Sequence, residues 1–139
     1  MKTIPYLNFD GRCAEAFRTY GEILGAEPEM LKHGDAPIAD ELPDTWHDRI
    51  MNAYLVADGA EIMGSDMPPG EGTGSHNMYV SLHVDSPAEA DRIFEALARD
   101  GRVTMPIDRT FWAERFGMLV DRFGIPWMVN CEGDAAEEK

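Results

Sequence analysis

The side chain best suited to chemistry in this 139-residue sequence is a histidine in a short alternating segment, residues 79–84. His83 shares one face of that segment with Tyr79 and Ser81, because side chains two positions apart in a strand point the same way. An imidazole gains and loses protons near neutral pH, so His83 is a candidate general base, with Tyr79 or Glu114 as its partner. A hydrogen-bonded structural histidine is the simpler interpretation of the same residue.

The remaining histidines and the two cysteines point to no site of their own. His33, His47 and His76 lie in predicted loops, where solvated surface histidines are expected. Cys13 and Cys131 are too few and too far apart in sequence for a disulfide framework or a zinc motif. These residues therefore predict no metal centre.

Two similar stretches of sequence position the candidate residues. Residues 4–10 and 79–85 are both predicted strands that end in an aspartate, and Asp10 and Asp85 are 75 positions apart. A predicted helix follows each strand. The repeated pattern of a strand and a helix predicts an internal duplication.

The ends of the two helices carry recognisable signals. Asp10 is predicted to cap the first helix by accepting its free amide hydrogens, and Ser86 is predicted to cap the second. Apolar residues recur at helical spacing after both caps. Gly25 and Gly101 are predicted to end the helices, since glycine enters the left-handed cap conformation at little cost.

Each half of the chain then has room for three further strands. The predicted strands cover residues 26–33, 49–56, 60–65, 102–105, 116–120 and 126–131. Residues 34–48 form a Pro- and Asp-rich loop that is long enough to be a flap over a site. Residues 67–76 are predicted to link the two halves, and residues 133–139 are predicted to form a disordered acidic tail.

The charge balance and the missing motifs exclude several classes of partner. The chain has 26 Asp and Glu against 12 Lys and Arg, a net charge of −14 that repels nucleic acid backbones. No apolar run reaches the roughly 18 residues of a membrane helix, and no signal peptide is recognised, so we expect a cytoplasmic protein. No G-x-G-x-x-G turn, phosphate-binding loop or G-x-S-x-G elbow is present, which argues against nucleotide cofactors held in those ways and against a serine hydrolase.

Four motifs together resemble a known superfamily. They are residues 5–9 (PYLNF), 62–66 (IMGSD), 110–117 (TFWAERFG) and 121–130 (DRFGIPWMVN). On these motifs the sequence resembles the vicinal-oxygen-chelate superfamily of glyoxalase I, bleomycin-resistance proteins and extradiol dioxygenases, and within it the PhnB-like branch of bacterial proteins. The resemblance covers the whole chain except the acidic tail.

The resemblance implies an α+β fold in which two βαβββ modules form an incomplete mixed barrel with the helices outside. It places module one at residues 1–66, the linker at 67–76 and module two at 77–132, all within one glyoxalase-like domain. It also implies a homodimer that takes a small-molecule ligand. Because the fold hosts isomerases, lyases, dioxygenases and drug-binding proteins, the activity has to be argued from the site.

Metal-dependent members of the superfamily take ligands, usually His or Glu, from four strand positions. Those positions carry over to Ile4, Asn52, Tyr79 and Met128 in this sequence. An aliphatic side chain binds no metal, and the thioether of Met128 is too soft for hard cations. The amide of Asn52 is better suited to hydrogen-bonding a substrate. We therefore predict no metal site and no other cofactor, with an unorthodox divalent metal site around His83 as the alternative.

The function predicted from the sequence is the binding of a small, partly apolar molecule in an aromatic, weakly polar cavity. The predicted ligand contacts are Tyr6, Asn8, Asn52, Tyr54, Tyr79, Ser81, His83, Trp112, Trp127 and Met128. The alternatives are a metal-dependent lyase, isomerase or dioxygenase of the glyoxalase type, and a metal-independent acid–base enzyme that uses His83. A methyltransferase is not expected, since no glycine turn for S-adenosylmethionine is recognised.

Overall fold

The computed structural model describes residues 1–68 and 78–133, which divide between two units, residues 1–75 and 76–139. The described part of each unit contains one α-helix and one four-stranded sheet. Most of the predicted linker and of the predicted acidic tail, residues 69–76 and 134–139, lies outside the described residues. No helix within the described ranges is long and apolar enough to cross a membrane.

The first unit follows the order strand, helix, three strands. Its elements are β1 (Tyr6–Phe9), α1 (Cys13–Leu24), β2 (Glu29–Lys32), β3 (Ile50–Ala57) and β4 (Ala60–Asp66). The strands are arranged as β1-β4-β3-β2, with β1 parallel to β4 and the other neighbours antiparallel.

The second unit repeats this order. Its elements are β5 (Val80–His83), α2 (Pro87–Ala98), β6 (Arg102–Asp108), β7 (Arg115–Val120) and β8 (Pro126–Cys131). The strands are arranged as β5-β8-β7-β6, again with only the first pair parallel. Both helices are 12 residues long. The α+β class and the two βαβββ units predicted from the sequence are therefore confirmed.

Helix α1 packs on one face of the first sheet through its apolar stripe. Its buried residues include Cys13, Ala16, Phe17 and Tyr20. Gly64 in β4 allows the close approach, because a Cβ atom at that position would lie 2.7 Å from Cε1 of Phe17. The helix ends at Gly25 in the left-handed conformation (φ 78°), as predicted.

The start of α1 differs from the prediction that Asp10 caps it. The backbone N–H of Cys13 donates to Oδ1 of the buried Asp66 at 3.0 Å, and the N–H of Ile50 donates to Oδ2 at 2.9 Å. Asp10 lies too far before the first helical residue, and its carboxylate instead pairs with Arg49 at 3.0 Å. One buried carboxylate of β4 therefore joins the start of the helix to the start of β3.

Helix α2 begins as predicted and ends earlier. The Ser86 hydroxyl accepts a hydrogen bond from the N–H of Glu89 at 3.1 Å, and Pro87 occupies the first turn. The helix stops at Ala98, three residues before Gly101, because the next residue is already extended. Glycine is needed at position 101 for a different reason, since a Cβ atom there would overlap the carbonyl oxygen of Val120.

The loop predicted as a flap is folded into three short 3-10 turns. They span His33–Asp35, Ala39–Glu41 and Asp44–Trp46. His47 Nε2 lies 2.9 Å from the carbonyl oxygen of Ala39, and the His33 ring meets the Trp46 ring edge-on at 5.6 Å. His33 and His47 are thus half-buried and not solvated as predicted, because these turns fold over them. His76 lies outside the described residues.

Candidate functional site

The candidate site lies on the face of the second sheet that is turned away from α2. Gly117 identifies the face that packs against α2, because a Cβ atom at that position would lie 2.6 Å from Cε2 of Phe94 in the helix. Register pairing places two rows of side chains across β5, β8 and β7 on the opposite face. The rows are His83–Asn130–Phe116 and Ser81–Met128–Met118. We call these six side chains the His83 face.

Three polar groups on the His83 face form a continuous hydrogen-bonded chain. Oγ of Ser81 lies 3.0 Å from Nε2 of His83, and Nδ1 of His83 lies 3.2 Å from Nδ2 of Asn130. Both ring nitrogens are therefore engaged, as in the simpler interpretation of His83 as a hydrogen-bonded histidine. A general-base role for His83 stays a prediction.

Asn130 is the member of this chain that sequence reasoning missed. It is 4% exposed, and among the described residues its Oδ1 is a buried acceptor without a hydrogen-bond partner. A buried amide in a strand is a costly choice unless it serves the fold or a ligand. The signal that was available is the polar residue in the otherwise apolar segment 126–131.

An aromatic row continues the His83 face at its β7 edge. The ring of Trp112 lies 5.3 Å from the ring of Phe116, and the ring of Phe111 lies 4.7 Å from that of Trp112, both edge-on. Phe111 is 85% exposed. Phe116 is the register neighbour of Asn130, so apolar surface directly adjoins the polar chain.

A groove of about 310 Å³ opens at the carboxyl ends of β5 and β8. It is lined by His83, Val84, Asp85, Asn130, Glu132 and Gly133. Two of the lining residues are carboxylates, so the end of the groove is acidic. It shares His83 and Asn130 with the His83 face.

Trp127 lies outside the candidate site. It is fully buried, and its indole Nε1–H donates to Oδ2 of Asp121 at 2.8 Å. Consecutive strand residues point to opposite faces, so Trp127 faces the core while Met128 belongs to the His83 face. The sequence prediction named both neighbours as ligand contacts, and only one of them fits a site on this face.

Tyr79 and Glu114, the proposed partners of His83, are not hydrogen-bonded to it within the described residues. Tyr79 precedes β5 and is 41% exposed. The N–H of Glu114 donates to the carbonyl oxygen of Cys131 at 2.8 Å. Its carboxylate lies beside Gly133, where a Cβ atom would be 2.5 Å from Oε2.

Four predicted contacts of the first unit share one face of its own sheet, opposite α1. Tyr6 pairs with Met63, which in turn pairs with Tyr54, so these side chains lie on the same side. Asn8 and Asn52 are two positions from Tyr6 and Tyr54 respectively and lie on that side as well. The structure therefore brings together Tyr6, Asn8, Asn52 and Tyr54 within this unit.

A charged network holds the Tyr54 hydroxyl on this face. The hydroxyl donates to Oε1 of Glu61, and Nζ of Lys2 lies 2.7 Å from Oε2 of the same carboxylate. Hydrogen bonds from Lys2 and Tyr54 lower the pKa of Glu61. The hydrogen bond to Glu61 raises the pKa of Tyr54, with a smaller contribution from burial. Glu61 was not predicted as a site residue. The available signal is that Glu61 and Met63 are two positions apart on β4 and therefore share a face.

The side chains at the four positions carried over from metal-dependent relatives do not fit a hard divalent cation. Ile4 offers no ligand, and Met128 offers a thioether. Asn52 lies on β3, which is separated from β1 by β4. Residues 1–68 and 78–133 contain no group of three His, Cys, Asp or Glu that could hold a metal ion.

Comparison with known proteins gives one family. The model of the Glyoxalase/Bleomycin resistance protein/Dioxygenase superfamily matches residues 4–129. Protein YjdN of Escherichia coli K12 is 34% identical over an alignment of 142 positions, which covers 94% of this chain and 95% of YjdN.

Solved structures agree with this assignment. Protein PA1353 from Pseudomonas aeruginosa is 48% identical, covers 96% of this chain and 99% of its own, and superposes with a TM-score of 0.86. A PhnB protein from Bacillus cereus is 24% identical over 94% of this chain and 99% of its own, with a TM-score of 0.75. The fosfomycin resistance protein FosX from Listeria monocytogenes is 11% identical over 95% of this chain and 93% of its own, with a TM-score of 0.65. The similarity to the last two structures shows a shared fold alone.

Proposed function

Because this chain belongs to the Glyoxalase/Bleomycin resistance protein/Dioxygenase superfamily, we propose that it binds a small, partly apolar molecule at the His83 face without a metal ion. The observation that carries the proposal is that a polar chain and an aromatic row lie side by side on one sheet face, because Asn130 and Phe116 are register partners. The polar chain is Ser81–His83–Asn130, and the aromatic row is Phe116–Trp112–Phe111.

The aromatic row supports an apolar ligand part. Phe111 is almost fully exposed yet stacks edge-on against Trp112, so two rings stand together at the surface. Covering such rings removes apolar area from water, which stabilises a complex by about 25 cal/mol per Å². A few polar groups that converge beside an apolar wall are typical of small-molecule sites. Ser81, held by its hydrogen bond to His83, provides such a group.

The side chains at the four metal-ligand positions of the superfamily support a ligand that is held without a metal ion. The positions from which relatives take their ligands carry Ile4, Asn52, Tyr79 and Met128, and two of these cannot serve a hard cation. The amide and phenol of the other two are hydrogen-bonding groups, which suits contacts to an organic molecule. Tyr6, Asn8, Asn52 and Tyr54 remain proposed ligand contacts on the first sheet.

The test combines native mass spectrometry with elemental analysis of protein purified without chelators. We expect a bound organic molecule that is lost when the chain unfolds, and no stoichiometric metal. Trp112→Ala is expected to lose the molecule. Trp46→Ala, which removes an indole from the 3-10 turns of the first unit, is the matched control and is expected to keep it.

Two results would contradict the proposal. Stoichiometric divalent metal in the unstripped protein would favour the metal-dependent lyase, isomerase or dioxygenase that the sequence left open. Retention of the molecule by Trp112→Ala would place the site away from the aromatic row.

We also propose that the protein is a cytoplasmic homodimer, as its family resemblance implies. Sedimentation equilibrium then gives a mass twice the 15.5 kDa of the chain. A concentration-independent mass of one chain would contradict the dimer. Fractionation of cells tests the location.

A further inference from the structure

We propose that the Ser81–His83–Asn130 chain is directional and presents a hydrogen-bond donor, so that the preferred ligand carries a neutral carbonyl oxygen beside its apolar part. The inference rests on the proposed function, because it names the chemical class of molecule that the His83 face takes. It assigns Asn130 as a positioning residue that acts through His83.

The direction is set at the buried end of the chain. An amide nitrogen can only donate, so Nδ2 of Asn130 donates to Nδ1 of His83 across 3.2 Å. A neutral imidazole has one donor and one acceptor nitrogen. With Nδ1 accepting, the ring proton is on Nε2, which then donates to Oγ of Ser81 at 3.0 Å.

The exposed end of the chain is therefore a donor. Ser81 accepts from His83, and its own hydroxyl hydrogen has no role within the chain. Each hydrogen bond polarises the next, which makes the Ser81 hydroxyl a better donor than an isolated serine. Since Ser81 is exposed, that hydrogen is accessible to a ligand acceptor.

The charges nearby select a neutral acceptor over an anionic one. Asp85 and Glu132 line the groove that also contains His83 and Asn130. The protein as a whole carries a net charge of −14. These carboxylates repel an anion. A protonated amine has no lone pair with which to accept the Ser81 hydrogen. A ketone, amide or ester oxygen avoids both conflicts.

The first experiment measures the binding of four probes with the same ring by saturation-transfer NMR. The probes are ethylbenzene, acetophenone, benzoate and benzylammonium. We expect acetophenone to bind most tightly, and Ser81→Ala to weaken it about tenfold, which corresponds to the net contribution of one hydrogen bond. Ethylbenzene, which has no acceptor, is expected to bind Ser81→Ala and the parent protein equally.

A matched control variant removes a hydroxyl elsewhere on the same sheet. Thr104 is exposed on β6, outside the His83 face. Thr104→Ala is expected to bind all four probes as the parent protein does. A loss of acetophenone affinity in this variant as large as in Ser81→Ala would overturn the assignment to Ser81.

The second experiment determines, without any ligand, which ring nitrogen of His83 carries the proton. The ¹⁵N spectrum of the histidine rings, with His83 assigned through His83→Gln, is expected to show the proton on Nε2. In Asn130→Asp, a carboxylate that only accepts holds the single proton of the neutral imidazole on Nδ1. Nε2 then accepts from Ser81, so acetophenone binding falls as in Ser81→Ala although the serine is present.

The outcomes separate this inference from the proposed function. A ring proton on Nδ1 in the parent protein, or equal affinity for acetophenone and ethylbenzene, overturns the inference and leaves the proposed function standing. If none of the four probes binds, the proposed function is contradicted, and the ring spectrum alone then supports or overturns the direction. If Asn130→Asp does not fold, the parent spectrum and Ser81→Ala decide.

Discussion

His83 and Asn130 stand side by side in the parallel pairing of β5 and β8, with 3.2 Å between the ring Nδ1 and the amide Nδ2. The corresponding positions in the first unit are Asn8 and Ser65, which are register partners between β1 and β4. The two units thus share one framework of strands but place different functional groups at the same point. The imidazole and its amide partner belong to the second unit alone, which is why the candidate site is built there.

The carboxylate of Asp66 is expected to contribute strongly to stability. It accepts from the N–H groups of Cys13 and Ile50, and its replacement leaves two buried donors unpaired. Each unpaired donor costs about 1–3 kcal/mol, so Asp66→Ala is expected to lower the free energy of unfolding by about 2–6 kcal/mol. Urea denaturation measures the change.

Asp10→Ala is the matched control for Asp66→Ala. The Asp10 carboxylate is half-exposed and pairs with Arg49 at the surface, so its loss is expected to cost less than about 1 kcal/mol. Equal losses in the two variants would contradict the assignment of the helix start to Asp66.

The sequence predicted the repeated units because their signals are local. Strand alternation, the Ser86 cap and the helical spacing of apolar residues all act within a few positions, and each is confirmed. The cap of α1 was misassigned because Asp66 is 53 residues away from Cys13 in sequence. No local pattern reveals a contact of that kind.

The sequence predicted which side chains of one strand share a face. It did not predict which side chains of neighbouring strands hydrogen-bond to them. Alternation placed Ser81 and His83 on one side of β5, as the structure does. Asn130 comes from a different strand, and only the register of β5 with β8 brings it beside His83. The same alternation in β8 puts Trp127 and Met128 on opposite faces, so the sequence does contain the signal that separates them.

Both thiols are expected to be unreactive in the folded protein. Burial, with a smaller contribution from the Asp66 carboxylate, raises the pKa of Cys13 to about 12. Burial also raises the pKa of Cys131, and Glu114 adds to that effect. At pH 8 Cys13 is therefore almost entirely protonated, and only the thiolate is reactive.

Ellman's reagent at pH 8 checks this expectation. The native protein is expected to show negligible reaction, and the protein in denaturant two thiols per chain, the number in the sequence. The variant Cys131→Ser assigns any native reaction to one cysteine. Rapid labelling of Cys13 in the native state would contradict its burial on the apolar stripe of α1.

The Tyr54–Glu61–Lys2 network is expected to give the stability a defined pH window. The pKa of Glu61 is lowered from 4.5, so its contribution is present above pH 4.5 and is lost as pH falls through the lower folded value. The pKa of Tyr54 is raised from 10.0, so its contribution is present below pH 10 and is lost as pH rises through the higher folded value.

Tyr54→Phe tests this window by two measurements. The difference in unfolding free energy between Tyr54→Phe and the parent protein is expected to be constant between pH 5 and 9, given the ordinary pKa values of 4.5 and 10.0, and to shrink outside that range. In a spectrophotometric titration, the component lost in the variant is expected to ionise above pH 10.0. A lost component that ionises below that value would contradict the hydrogen bond to Glu61.

Phe111 is expected to matter for binding and not for folding. Its ring is 85% exposed, so Phe111→Ala is expected to change the free energy of unfolding by less than about 0.5 kcal/mol. The same ring stands at the outer end of the aromatic row, in edge-on contact with Trp112. Removing it takes away apolar surface that a ligand would cover, so ethylbenzene is expected to bind several-fold more weakly, since each buried CH₂ contributes about 0.8 kcal/mol.

Val103→Ala is the matched control for Phe111→Ala. Val103 is an exposed apolar residue on β6, outside the His83 face, so its loss is expected to change neither stability nor ethylbenzene binding appreciably. Denaturation and saturation-transfer NMR are measured on both variants. If Phe111→Ala binds ethylbenzene as tightly as Val103→Ala does, the aromatic row is not the apolar wall of the site. If Phe111→Ala unfolds far more easily than the parent, the exposed ring has a structural role instead.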